Sequence, residues 1–308
     1  MPPAVRSASR LPVTYKDGVW AKKVEFFLLW FEFLSISPSY ELARRYREGT
    51  LTEEERRALP ADFDVVLAVF DDLGDVQRQV FWAWWRDRGI DHFGYPGKKP
   101  SVRRIAALKR TTENAQDAVS RTEAYIGGEW QEQGRQATMI LALPIGLSKA
   151  QITRQIFAHL DKIPADKRKV REAKPKYQLV GKKHDRSSLL RYFRVVWVRA
   201  RLPKVALWRI GAISEVSGTY SKRIEPFELV QKNASTDDRL ALKILTSRAL
   251  YRGRMIAENA ARGLFPSYAP CKHAVEADLQ QLNALIVSRT KWQEKQQKLA
   301  DEKLQGDD

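Results

Sequence analysis

The chain has 308 residues, 44% hydrophobic and 10% aromatic, enough for two ordinary domains with buried cores and too apolar for a disordered chain. Its formal net charge of +17 points to a polyanionic partner: DNA, RNA or an anionic membrane surface. One cysteine, Cys271, excludes an internal disulfide framework and any multi-cysteine zinc site, and is expected to be an inert, partly buried thiol.

The charge is unevenly placed. Residues 1–100 hold 15 Lys and Arg against 15 Asp and Glu, residues 101–200 hold 21 against 9, and residues 201–308 hold 18 against 13. The basic surface is therefore expected in the last two thirds. The longest apolar run, "FFLLWFEFL", is nine residues interrupted by Glu32, far short of the ~20 that span a bilayer, and the start lacks the apolar stretch of a secretory signal. The expectation is a soluble, cytoplasmic protein without a membrane partner, nucleoid-associated if bacterial.

In chain order, residues 1–20 carry Pro, Ser and two Arg without apolar periodicity and read as a flexible basic arm. Residues 21–98 read as a neutral, aromatic-rich helical domain. Ser37-Pro38 with Glu41 marks one helix start, and Thr52 with Glu55 marks a second through a capping box. Phe63, Val66, Phe70 and Leu73 recur at helical spacing, as do Val80, Phe81, Trp84 and Trp85; Gly74 is placed to break the stretch and Gly89 to stop it. Five of the nine tryptophans lie before residue 100, sharing faces with aliphatic residues in a segment of zero net charge, so they are expected to build a core and not a base-stacking platform. This domain is the expected surface for a protein partner or a homo-oligomer.

"FGYPGKKPSVRR", residues 93–104, is the expected domain boundary, followed by a connecting helix in "IAALKRTTENAQDAVSRTEAYI". "ATMILALPIG" is the best strand candidate, and Ser148 with Gln151 caps the next helix, whose Ile152, Ile156 and Leu160 hold one face. Residues 161–204 hold 15 Lys and Arg against 4 Asp and Glu. Within them, Asp185 or Ser187 caps a helix with Leu189, Leu190, Phe193, Val196 and Trp197 as its stripe, ended by Pro203. Long helices are expected over 237–262 and from 275 to about 304. The fold class is mainly α, a multi-helix two-part chain with at most a few short strands: a basic nucleic-acid-binding domain over 101–270, then a C-terminal helix and tail over 271–308.

The segment "IGAISEVSGTYSKRI" resembles the helix-turn-helix of DNA-binding proteins in Ile210, Gly211, Val216, Ser217, Lys222 and Arg223, and departs from it in carrying Glu215 where that motif usually has Gly. The resemblance implies a segment over 205–224 in which Ser217 caps the second helix, Val216 and Ile224 seat it, and Gly218, Thr219, Ser221 and Lys222 read bases. A structural helix pair is the other reading of the same residues. Phosphate contacts are expected from Lys182, Lys183, Arg186, Arg191, Arg194, Arg209, Arg223, Arg248 and Arg252, with Arg248 and Arg252 one helical turn apart.

These features imply a DNA-binding protein, a sequence-reading regulator or a mobile-element accessory factor. The alternative is a non-catalytic subunit of a nucleoprotein complex of a mobile element or defence system, holding RNA or single strands without sequence readout. Asp62, Asp64, Asp71, Asp72 and Asp75, with Asp91-His92 behind, raise a Mg²⁺ nuclease as a third class, but the spacing is that of a solvated face. There is no phosphate-binding Gly-rich loop with Lys-Ser/Thr, no Gly-x-Ser-x-Gly and no His-Glu-x-x-His, and the four histidines are scattered. No enzyme activity, cofactor or metal is expected.

Overall fold

The computed structural model describes residues 15–16, 18–97, 99, 101–108, 115–133, 135, 137–164, 174–181, 185–228 and 235–306. The fold is mainly α, as the sequence implies, and the described residues divide into two units: one of residues 21–93 and 176–308, the other of residues 15–20 and 94–175.

The first unit is built around α1 (Val24–Leu34), which is buried on every side, including Glu32. A helix apolar all round needs walls all round. α2 (Pro38–Arg47), α3 (Glu53–Arg57) and α4 (Phe63–Leu73) follow α1, and the N-terminal walls come from beyond them, where Phe81 and Trp84 pack on Phe31 and Trp85 and Phe93 stack on Phe27. The C-terminal half supplies the rest, through α10 (Arg186–Arg201), α12 (Thr236–Ala260) and α13 (Leu279–Gly306), with α11 (Leu207–Ile213) packed on α12. Trp30 stacks on Phe265 at 5.2 Å between ring centres and donates its indole N–H to Ala260 O at 3.2 Å, while Phe33 meets Phe193 edge-on. The separate neutral domain expected over 21–98 is thus corrected. Net charge follows the surface and says nothing about which helices share a core, and the aromatic helices share theirs with residues of the basic half.

The helix starts follow their chemistry. Ser37 Oγ accepts from Tyr40 N with Pro38 in the first turn, and Thr52 and Glu55 form the expected capping box. Gly74, at φ +70°, ends α4. The stop expected at Gly89 does not occur: α5 (Phe81–Trp84) runs through a π-helical turn (Trp85–Gly89) into α6 (Ile90–Phe93). Gly89 is needed there for space, since a Cβ would lie 2.7 Å from the Trp85 ring and 3.0 Å from that of Trp84.

Two ionic networks lie inside this unit. Arg289 of α13 forms a bidentate pair with Glu32 of α1 at 2.7 and 3.0 Å. Glu258 of α12 accepts from Ser37 Oγ (2.7 Å), Ser39 N (3.1 Å), Ser39 Oγ (2.5 Å) and Val275 N (3.0 Å), so its carboxylate sits on the amino end of α2, where the helix dipole favours it.

The second unit holds a small antiparallel sheet, order β1 (Tyr15–Lys16), β2 (Val19–Trp20), β3 (Tyr95–Pro96), with Trp20 stacked on Tyr95. It also holds α7 (Ala115–Ala124), a π-helical turn (Tyr125–Glu129), α8 (Trp130–Glu132) and α9 (Lys149–Asp161), the last opened by the Ser148–Gln151 capping box. The strand expected in "ATMILALPIG" is corrected: residues 137–144 form neither strand nor helix. A strand needs a neighbouring strand to satisfy its backbone, and the three described strands of the sheet pair only with one another. None of the described helices is long and apolar enough to cross a membrane.

Candidate nucleic-acid interface

α10 opens on Asp185, whose carboxylate accepts from Ser188 Oγ at 2.5 Å, Ser187 Oγ at 2.7 Å and Ser187 N at 2.9 Å. These bonds, Ser188's foremost, hold its pKa down to about 2. Beyond the cap, Leu189, Phe193, Val195, Val196, Val198 and Ala200 turn into the core, while Leu190 and Trp197 of the expected stripe are half-buried. α12 packs against α10 at a close crossing, where a Cβ on Gly253 would lie 2.6 Å from Tyr192 O.

Neither α10 nor residues 239–257 of α12 holds an Asp or Glu. Together they carry ten basic residues: Arg186, Arg191, Arg194, Arg199 and Arg201 on the first, Arg239, Lys243, Arg248, Arg252 and Arg254 on the second. Arg191, Lys243 and Arg248 are exposed and bond to no described residue. Arg252 donates to Tyr192 Oη at 2.8 Å, with its guanidinium 5.7 Å from the Tyr192 ring and 5.1 Å from that of Tyr268. Three more arginine–aromatic pairs stand on the same helices and on α11: Arg201 with Trp197 at 5.7 Å, Arg209 with Trp208 at 4.7 Å, and Arg239 with the same Trp208 ring at 6.0 Å.

The remaining phosphate candidates have internal partners or lie elsewhere. Arg194 bridges to Glu215 at 2.9 Å, Arg223 to Asp238 at 2.9 Å, and Arg209 donates to Pro226 O and Glu228 O at 2.9 Å each. These three hold the corner after α10 together. Arg186 is half-buried, with Nε bonded to nothing described. Lys182 and Lys183 lie outside the described residues.

The corner itself keeps one half of the helix-turn-helix pattern. α11 lies so close to α12 that a Cβ on Gly211 would overlap Thr246 Oγ1. The chain then reverses through Glu215, which takes the left-handed conformation (φ +53°) at the turn position where the resemblance predicts Gly. Val216 and Ile224 are buried, as a seated second element requires.

That second element is a helical turn and not an α-helix. Ser221 N bonds Ser217 O, a 3-10 turn follows over Ser221–Arg223, and Ile224 is extended. Gly218 and Thr219 are poor helix formers, and Pro226 disfavours helical backbone at Glu225. Ser221 is a further correction: it is buried, accepting from Ser217 N at 3.1 Å and donating to Gly211 O at 3.2 Å, so it locks the turn. Gly218, Thr219 and Lys222 are exposed.

No family model, no curated protein and no solved structure matches the chain.

The acidic candidates do not converge. Asp71 pairs with Arg47 at 2.5 Å, Asp62 with Arg262 at 2.7 Å, Asp75 accepts from Gln77 N at 2.7 Å, and Asp72 pairs with Lys176 at 2.5 Å and accepts from the Tyr177 hydroxyl. Burial raises the pKa of Asp72, but the bonds from Lys176 and Tyr177 outweigh it and hold the group below its usual range. No group of three or more His, Cys, Asp or Glu able to hold a metal occurs among the described residues. Burial pushes the Cys271 thiol up, away from the reactive thiolate.

The charge run is visible in the sequence, but Lys243, Tyr192, Tyr268 and the aromatic pairing are missed by it. The readable signal is the absence of acids from 186–201 and 239–257, a pattern that charge counting over a whole domain averages away.

Proposed function

We propose that this chain binds nucleic acid by its phosphate backbone, across the acid-free faces of α10 and α12, without base-sequence readout. The observation that carries the reading is ten basic residues over 186–201 and 239–257 of two packed helices, stretches that hold no carboxylate of their own, with Arg191, Lys243 and Arg248 exposed and bonded to no described residue. Such a surface concentrates counterions that a polyphosphate displaces, and their release supplies the driving force. The exposed Tyr268 ring against Arg252 adds a flat surface of the kind on which unpaired bases stack.

A second reading, DNA read by sequence at the corner, is supported by the left-handed Glu215 and the exposure of Gly218, Thr219 and Lys222. Fluorescence anisotropy with several duplexes, single-stranded DNA and RNA, each titrated with salt, separates the two. The first reading expects steep salt dependence for every polymer and little preference among duplex sequences. The second expects one preferred duplex, with the preference relaxed by Thr219→Ala or Lys222→Ala. Binding that ignores salt rejects both.

A further inference from the structure

We infer that the described residues between 101 and 164 form a self-association surface, and that its occupant is the same surface of a second copy of this chain. No described residue between 97 and 164 is buried. The stretch nevertheless holds a large share of the exposed big apolar side chains: ten of them lie between Val102 and Phe157, among them Ile126, Ile140, Leu141, Leu143, Ile145 at 84% and Phe157 at 58%. Helices as short as α7 and α9 are marginal without a packed face. This stretch has helices and apolar side chains but no core, so the core must come from outside it.

The area fits a pair of copies. A Val, Leu, Ile, Met or Phe side chain offers about 60–120 Å² when fully exposed, so ten at roughly half exposure present about 500 Å² per copy. Two copies would bury ~1,000 Å² of apolar surface. At the ~57% apolar share usual in interfaces this corresponds to ~1,750 Å² in all, inside the ~1,200–2,000 Å² of stable complexes.

Charge points the same way. Two copies at +17 repel, but residues 137–148 carry no charged side chain. The stretch is bracketed by two exposed cations, Arg135, which donates to Gln131 Oε1 at 3.3 Å, and Lys149, while further off Arg103 pairs with Glu129 at 2.5 Å and Arg121 with Asp117 at 2.9 Å. A nucleic acid would find no counter-charge along 137–148, whereas an identical apolar segment finds a match. Residues 139–143 also make no backbone hydrogen bond to any described residue, leaving donors and acceptors that an antiparallel copy can pair across a two-fold axis.

The test is sedimentation equilibrium of the full chain, unaltered and as Ile140→Asp with Ile145→Asp, together with hydrogen exchange of amides 139–145. Because both positions are exposed, the substitutions leave folding intact, which circular dichroism verifies. The expected result is a mass twice 35.4 kDa for the unaltered chain, halved by the double substitution, with amide protection at 139–145 lost in parallel. A monomer at every concentration, which would hand the surface to a different protein, overturns the inference, and so does a dimer indifferent to the substitutions. Salt-dependent nucleic-acid binding by the monomeric variant is read separately, so failure here is distinguishable from failure of the proposed function.

Discussion

Arg289→Met should be among the most damaging single substitutions in the protein. Glu32 is fully buried and Arg289 nearly so, at 0% and 7% side-chain exposure, and the bidentate pair is the ionic link between α1 and α13. The guanidinium also lies over the face of Phe31 at 5.2 Å and donates to Ser35 Oγ at 3.0 Å. Methionine fills much of the volume but leaves a carboxylate in the core with no cation. Removing one partner of a buried pair costs about 3–5 kcal/mol, against a total stability of about 5–15 kcal/mol. At about 2–4 °C per kcal/mol for a unit of this size, Tm should fall by about 6–20 °C.

The double substitution Glu32→Leu with Arg289→Met should recover most of that loss, because apolar groups of similar volume often replace a buried pair at no net cost. Recovery is favoured further because Arg289 Nε is buried without a partner, a desolvated donor that the double variant no longer contains. Urea denaturation followed by circular dichroism measures the two single variants and the double one. A loss below about 1 kcal/mol for Arg289→Met, or a double variant as unstable as the sum of the two singles, would show that the uncompensated charge is not what destabilises the core.

Gly253→Val should force α10 and α12 apart, because the new Cβ would stand 2.6 Å from Tyr192 O; a loss of about 1–3 kcal/mol in chemical denaturation is expected. Gly218→Ala, with nothing within 4 Å, should stay within about 0.5 kcal/mol and serves as the control. Asp62 is held below its usual range chiefly by the Arg262 bond, working against burial. A depressed folded-state pKa gives stability that is present above the unfolded value near 4 and lost as pH falls through the folded value, so Asp62→Asn should flatten that acid-side part of a stability–pH curve.

Local chemistry is the most legible part of the fold. Ser37, Thr52 with Glu55, and Ser148 with Gln151 each cap the helix they predict, because a cap is decided within four residues. The misreadings all concern distant neighbours. Gly89 reads as a stop until two tryptophan rings pack on it, and "ATMILALPIG" reads as a strand because its composition cannot reveal whether a partner strand exists. The split into neutral and basic domains fails for the same reason: Glu32 finds Arg289, and Ser37 finds Glu258, across more than 200 residues. At the candidate interface the basic run is legible. What is not is which cations are already paired, since Arg194, Arg209 and Arg223 look like Arg191 and Arg248 in the sequence and differ only in having partners.

This pairing bears on why the chain is so basic. Several acids of the first unit are tied up internally: Glu32 with Arg289, Glu41 with Arg44, Asp62 and Glu258 with Arg262, Asp72 with Lys176. Arg194 and Arg254 pair with Glu215 and Glu276, but Arg191, Lys243 and Arg248 stay outward on α10 and α12 without a described counter-charge, which self-repulsion makes a mild burden on the folded state. If those cations served packing, removing them would cost stability; if they serve a polyanion, removing them should leave stability within about 0.5 kcal/mol or slightly improve it. Lys243→Gln with Arg248→Gln tests this directly, since both are exposed and bond to no described residue. The expected outcome is unchanged urea denaturation together with weaker duplex binding, whose salt slope falls by about 0.9 for each phosphate no longer neutralised. Unchanged binding and slope would show that the acid-free face is not where the polymer lies.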